Sequence, residues 1–167
     1  DVWIHTMMVV DQAALIATRE KMNEQERLLC VLGSLCHDLG KALTTAPLEK
    51  DGVIRMRSLG HEKAGIEPTS ELLSRLTFGQ DVNLFCEHVA HYHLQPTALY
   101  REFEKKHLSE GGYENAVRKF LKKILPYDWK IFLASCEADY RGRTLPDIEK
   151  DPFEIGKKFA GVIQKNK

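Results

Sequence analysis

The stretch LGSLCHDLGKAL, residues 32–43, runs an apolar helix straight into an adjacent imidazole and carboxylate, His37 and Asp38, followed by Gly40 and Lys41. Burying such a pair costs several kcal/mol unless each member finds a partner, because unpaired polar groups lose their water. A bound metal ion, a salt bridge between the two, or exposure at the helix end would each remove the penalty. Whatever this chain folds into must provide one of the three.

The rest of the sequence is helical by pattern and offers no convincing strand. Apolar residues recur at helical spacing over 2–19, and Asn23 with Glu26 reads as an N-cap opening a second helix that runs to Leu39, stopped by Gly40. Residues 44–58 read as a long polar loop with Pro47 and an Asp51-Gly52 turn signal, and such loops often border sites. A third helix is expected over 60–76, kinked or divided at Pro68, and a fourth over 81–92. Pro96 separates the fourth from a charged helix over 97–107, and Gly111-Gly112 separates that from another over 114–125. Asp128 caps a helix from Trp129 into Asp139, and Asp151-Pro152 with Glu154 opens the last one. The expectation is a single all-α domain over 1–167, a bundle of about seven to eight helices.

Charge and cysteine usage narrow the function. With 24 basic and 24 acidic residues there is no global field to attract nucleic acid or an anionic membrane, so a phosphate-bearing ligand has to be held locally. No stretch approaches the roughly 20 apolar residues that cross a bilayer, and the N-terminus has no basic-then-apolar leader. No membrane partner is expected, and the expected location is cytoplasmic. Cys30, Cys36, Cys86 and Cys136 sit in apolar runs without a C-x-x-C pair, which suits small core hydrophobes in a reducing compartment better than a zinc ribbon or disulfide framework. The chain opens at Asp1-Val2-Trp3 without an initiator Met, as expected of a domain from a longer protein.

Three apolar columns end in side chains that bind metals: His5 with Val9, Phe85 and Val89 with His93, and Phe132 and Cys136 with Asp139. A lone histidine on an apolar face is more often hydrogen-bonded than metal-bound, but three such columns beside the His37-Asp38 pair strain coincidence. His37 and Asp38 lie about 100° apart on a helix and do not face each other, yet an ion off that helix can touch both if other helices supply the remaining ligands. Imidazole and carboxylate without thiolate suits Mn²⁺, Fe²⁺, Ni²⁺, Co²⁺ or Zn²⁺, and also Mg²⁺. His88 and His91 fall on a different column from His93 and read as neighbours or surface. Arg118, Lys119, Lys122 and Lys123 read as a solvated face, and His107 carries no signal.

His5, then His37-Asp38, then distant Asp139 resembles the HD-domain metal-dependent phosphohydrolases, an all-helical superfamily. The likeness extends to SLGHEKAG around His61 and HYHLQP around His93, similar to the additional histidines of two-metal members. More narrowly, WIHTMMVVDQA, LCHDLGKALT, GHEKAG and SCEADYRGR are similar to the C-terminal HD domain of bacterial multifunctional CCA-adding enzymes, the tRNA nucleotidyltransferases. No Gly-Ser motif followed by an Asp-x-Asp pair is present, so the nucleotidyltransferase head of those enzymes is missing from this sequence.

The resemblance implies a metal site inside the bundle, held by His5, His37, Asp38 and Asp139, with His61 and His93 completing a second position if Asp38 bridges. One or two divalent ions are both compatible with it. It also implies hydrolysis of phosphate esters, with nucleotides or 2′,3′-cyclic phosphates as substrates and tRNA as a partner through the full-length protein. Asp38 would orient the attacking water. Lys41 would stabilise charge on the phosphate or serve only as a solvated helix-end cation, and Arg141 and Arg143 would fork onto a phosphate or lie in a solvated turn. Glu62 is a candidate to hydrogen-bond a ligand or water. A different class of function, a non-catalytic tRNA-binding or structural tail with a structural metal, fits the same residues.

Overall fold

A computed structural model of the chain describes residues 1–143 and 153–165. Among these residues the order is α1 (Val2–Arg19), α2 (Glu24–Cys36), α3 (Lys41–Thr44), β1 (Thr45–Lys50), β2 (Val53–Ser58), α4 (His61–Ala64), α5 (Ile66–Arg75), α6 (Gln80–Tyr92), α7 (Gln95–Glu104), α8 (Glu110–Lys123), α9 (Trp129–Arg141) and α10 (Glu154–Gln164). Eight of the helices have ten residues or more, and α3 and α4 are single turns. The fold is all-α, with one small hairpin.

Polar side chains fix where the helices start. Asp1 accepts from the Trp3 amide at 2.7 Å, Ser109 from Gly112 at 3.1 Å and Asp128 from Lys130 at 2.8 Å. Asn23 and Glu26 form a reciprocal capping box that satisfies two orphan amides at the start of α2. α2 then becomes the central helix, packed on α1, α6 and α9. Gly33 allows the approach of α6, since a Cβ there would stand 3.0 Å from the Phe85 and Val89 side chains. Ser135 Oγ ties α9 to α2 by donating to the Cys30 carbonyl at 3.3 Å. A second group, α7, α8 and α10, joins through Phe120, whose ring meets Phe132 and Phe159 edge-on at 5.6 and 5.9 Å. All four cysteines are buried and free.

Several boundaries differ from the sequence expectation. The second helix ends at Cys36, not Leu39, and residues 37–40 form a turn. Residues 45–58 are an antiparallel hairpin rather than a loop, with Thr45 opposite Ser58 and Lys50 opposite Val53. Asp51 and Gly52 close it with φ of 53° and 73°, the twist that matches two-residue hairpins. Both faces of this hairpin are exposed, so no core imposes the alternation by which a strand is read. The expected third helix divides at Gly65, while Pro68 is the third residue of α5, where its missing amide costs no intrahelical bond. Pro96 and Gly111-Gly112 likewise lie in the first turns of α7 and α8 instead of separating helices. Asp151-Pro152 falls outside the described residues.

The 37–40 turn is held against α4 by close contact. A Cβ on Gly40 would lie 2.0 Å from the His61 carbonyl oxygen and 2.6 Å from the Gly65 nitrogen, so the backbone of one segment would have to move. Gly40→Ala is therefore expected to destabilise the fold by about 2 kcal/mol or more, read as a lowered urea midpoint. An unchanged midpoint would contradict this packing.

Candidate metal centre

Five elements bring the candidate ligands together. His5 follows the inward face of α1 with buried Val9 and Ala13, and Asp139 lies near the end of the deeply buried α9. His37 caps α2 with Asp38 next to it in the turn, and His93 caps α6. His61 is the first residue of α4, placed there by Gly60, whose φ of 73° favours glycine. His37, Asp38, His61, His93 and Asp139 are all buried, and His5 is partly so.

Each histidine is oriented through Nδ1 to a backbone carbonyl. His37 reaches Ser34 O at 2.7 Å, His61 reaches Ser58 O at 2.7 Å, His93 reaches Ala90 O at 3.0 Å and His5 reaches Gly142 O at 3.2 Å. A carbonyl oxygen can only accept, so Nδ1 carries the proton and, in the neutral ring, Nε2 is a bare lone pair. All four Nε2 atoms then face carboxylates, which also only accept. His5 Nε2 is 3.0 Å from Asp139 Oδ1, and His37 Nε2 is 3.6 Å from it and 3.2 Å from Asp38 Oδ2. On the other side, His61 Nε2 and His93 Nε2 stand 3.3 and 3.9 Å from Asp38 Oδ1. His37 Nε2 and His61 Nε2 are buried without a hydrogen bond.

Acceptor facing acceptor is repulsive unless a cation lies between them. Protons can serve for some of the rings. Burial alone would lower the His37 pKa, but Asp139 and Asp38 outweigh it and raise it to about 10; the Asp38 carboxylate also raises His61. Both Asp38 and Asp139 are held below the usual carboxylate range, despite burial, by these imidazoles. Protons cannot serve for all four, because burial and the charge on His37 push His93 down to about 4. The donor atoms fall into two groups, His5, His37 and Asp139, and Asp38, His61 and His93, each with its atoms within 4.8 Å of one another. Such groups can hold a metal ion, and Nδ1 bonds to carbonyls are the usual outer support for histidine ligands.

Of the six, His5, Asp38, His61, His93 and Asp139 border a cavity of about 370 Å³, shared with Lys41, Leu94 and Arg143. Lys41 Nζ donates to Asp38 Oδ2 at 2.5 Å, and Arg143 Nη2 to Asp139 Oδ2 at 3.2 Å. Arg141 is elsewhere: its Nε donates to Glu137 at 2.6 Å on the face of α9 where Arg19 also grips Glu137, in a separate cavity of about 610 Å³. Arg141 is the last residue of α9, on the side of Glu137 four residues earlier, whereas Arg143 lies past the cap at Gly142, where the chain brings it back to Asp139. His88 bonds to Leu84 O beside Tyr127, the His91 ring rests on Tyr92 at 4.2 Å, and His107 pairs with Glu102, so none of the three borders the cavity. Glu62 lies 3.6 Å from His61 Nδ1.

Leu94 and the four carbonyl acceptors escaped the sequence reading. Three of those carbonyls belong to residue i−3 of their histidine, a local rule legible once the helix ends are known. The fourth, Gly142 O, is reached across 137 residues and only because α9 packs on α1 so closely that a Gly142 Cβ would stand 2.4 Å from Val9 Cγ2.

The HD domain family matches residues 2–129. The chain is similar to the Multifunctional CCA protein of Pasteurella multocida, 33% identical over 144 residues that make up 86% of this chain and 31% of that protein. It is 36% identical over 143 residues to that of Actinobacillus pleuropneumoniae serotype 5b, again 86% of this chain and 31% of the relative. Against that of Nitrosomonas eutropha it is 28% identical over 164 residues, 98% of this chain and 34% of the relative. The chain thus spans about a third of the length of the curated relatives it matches. No helix among the described residues is long and apolar enough to cross a membrane.

A metal ion entering this centre must displace the protons that His37 and His61 hold. Both pKa values are raised above the ordinary 6.5, so these protons are bound below that pH and are lost as the pH rises, for His37 through about 10. Apparent affinity for Mn²⁺ is therefore expected to increase with pH for as long as these protons are bound, for His37 up to about pH 10, by up to about tenfold per pH unit for each proton released. Calorimetry in buffers of different ionisation enthalpy should show proton release at pH 7. Binding without any release would contradict the protonated metal-free state.

Proposed function

We propose that this chain, which belongs to the HD domain family, is a metal-dependent phosphohydrolase acting on nucleotide-type phosphate esters, 2′,3′-cyclic phosphates among them. The observation that carries the reading is Asp38. Its two oxygens face different ligand groups, Oδ2 towards His5 and His37 and Oδ1 towards His61 and His93, at the wall of an open cavity. A purely structural metal site has no use for such a divided carboxylate or for a cation-lined cavity beside it.

In this reading His5, His37, Asp38 and Asp139 hold one divalent ion, and Asp38, His61 and His93 a second. Bound ions would polarise a phosphoryl oxygen and bring the pKa of a water towards neutrality, supplying the nucleophile. Asp38 would orient the attacking water. Lys41, part-exposed and anchored on Asp38, offers its remaining N–H donors to the phosphate, and Arg143 offers the guanidinium N–H groups that Asp139 leaves free. Substrates of nucleotide size suit a cavity of about 370 Å³. The likeness to Multifunctional CCA proteins supports placing the reaction in tRNA 3′-end processing or repair, carried out within a longer protein. The centre does not select among Mn²⁺, Ni²⁺, Co²⁺, Fe²⁺, Zn²⁺ and Mg²⁺, because imidazole and carboxylate suit all of them.

The test is hydrolysis of 2′,3′-cyclic AMP and an aryl phosphodiester with each ion in turn. Asp38→Ala should abolish it, and Lys41→Met should lower kcat roughly a hundredfold with metal content unchanged. If no ion gives the wild type more activity than Asp38→Ala, the chain is a tRNA-binding or structural tail and the enzyme reading fails.

Metal content tests the two-ion arrangement separately. His61→Ala with His93→Ala should remove about one ion and leave the other, whereas Asp38→Ala should empty both positions. Saturation of the wild type at one equivalent under excess Mn²⁺, with the double variant fully active, would leave His61 and His93 as substrate-binding groups.

A further inference from the structure

The hairpin of β1 and β2 meets the metal centre at its base, through Ser58, and grows out of it. Thr45 Oγ1 donates to the Lys41 carbonyl at 2.6 Å and bonds Ser58 Oγ at 2.7 Å, and Ser58 O is the acceptor that orients His61. From that base, strands of six residues extend away, about 20 Å at ordinary strand rise. All of β1 and all but the last residue of β2 are exposed, including Ile54 at 70% and Met56 at 65%.

Register sorts its side chains sharply. Residues directly opposite one another share a face, so Ala46, Leu48 and Lys50 lie with Arg57, Arg55 and Val53. Thr45, Pro47 and Glu49 lie with Ser58, Met56 and Ile54 on the other. Every cation of the two strands is therefore on one face, and their single acid is on the opposite one. Among the described residues none of Lys50, Arg55 and Arg57 has an ion-pair partner. On α8, by comparison, Arg118 is paired with Glu114, and Lys165 just past α10 binds both Glu110 and Glu114.

We propose that the cationic face of this hairpin docks the phosphate backbone of RNA whose 3′ end enters the metal centre. The inference rests on the proposed hydrolysis of 2′,3′-cyclic phosphates: in a polymer that group uses both hydroxyls of the last ribose, so it exists only at a 3′ end and leaves a chain of phosphates trailing from the cavity. In a chain of zero net charge, three cations in one row, running from Arg57 near the base of the hairpin at the centre to Lys50 at its tip, are the local attraction that a polyanion requires. The hairpin has no aromatic side chain on which a base could stack, so the contact is electrostatic and independent of sequence.

The test compares wild type with the triple variant Lys50→Gln, Arg55→Gln, Arg57→Gln in two measurements. Fluorescence anisotropy with a labelled 12-nucleotide RNA and no added metal reads docking without catalysis. The variant should bind at least about tenfold more weakly, and the slope of log K against log salt should flatten by about 2, near 0.7 for each cation lost. Hydrolysis should show a raised KM on an RNA ending in 2′,3′-cyclic phosphate, with kcat/KM on 2′,3′-cyclic AMP within twofold of wild type. Equal RNA binding and salt slope in both proteins would overturn the proposal and mark the hairpin as a protein-contact arm. An equal loss on both substrates would also overturn it, by making the change one of the site itself. Wild type that binds RNA through these cations but hydrolyses neither substrate would sink the enzyme reading alone.

Discussion

The buried Asp38 carboxylate is the constraint on which the rest of the centre depends. A carboxylate that is almost wholly withdrawn from water is tolerated only with compensating charge or hydrogen bonds, and here three histidines and Lys41 stand within 3.7 Å of its oxygens. Those groups come from α1, the end of α2, α3 and α4. Satisfying one side chain thus fixes how four segments meet. The glycines follow from this, since Gly40 brings the Asp38 turn onto α4 and Gly142 brings α9 onto α1 at separations that no side chain would permit.

The same arrangement explains why the polar cluster is compatible with a stable bundle. Its Nδ1 atoms are all satisfied by carbonyls left free near helix ends or in turns, so the centre uses acceptors that the backbone would otherwise leave unpaired. What is left unsatisfied is confined to the Nε2 atoms that look inward, and this residual demand for positive charge can be met by protons or by metal ions. The fold stores an affinity for cations at its centre because burial denies water to the groups that would otherwise take up that role.

Legibility in the sequence varied with how local the cause was. Helix starts at Asn23 and Asp128 were readable because a cap is a contact over three residues or fewer. Breaks were misplaced at Pro68, Pro96 and Gly111-Gly112, because proline and glycine are tolerated in a first turn whose amides need no intrahelical partner. The hairpin was missed although its Asp51-Gly52 turn stood out, because an arm exposed on both faces carries no alternation. Among the candidate site residues, Arg141 and Arg143 looked equivalent in sequence, and only where α9 ends, between the two, turned one towards Glu137 and the other towards Asp139.

By itself the sequence determined that this is an all-α bundle and that His5, His37, Asp38, His93 and Asp139 end apolar runs. Those facts are set by side-chain periodicity along single helices, which the order of residues fixes directly. The tertiary structure decided how near these residues and His61 come to one another, that the six fall into two donor groups, and that His5 is oriented by Gly142 from the far end of the chain. Such relations are distances between elements, set by how closely helices can approach and by which polar atoms must find partners once water is excluded.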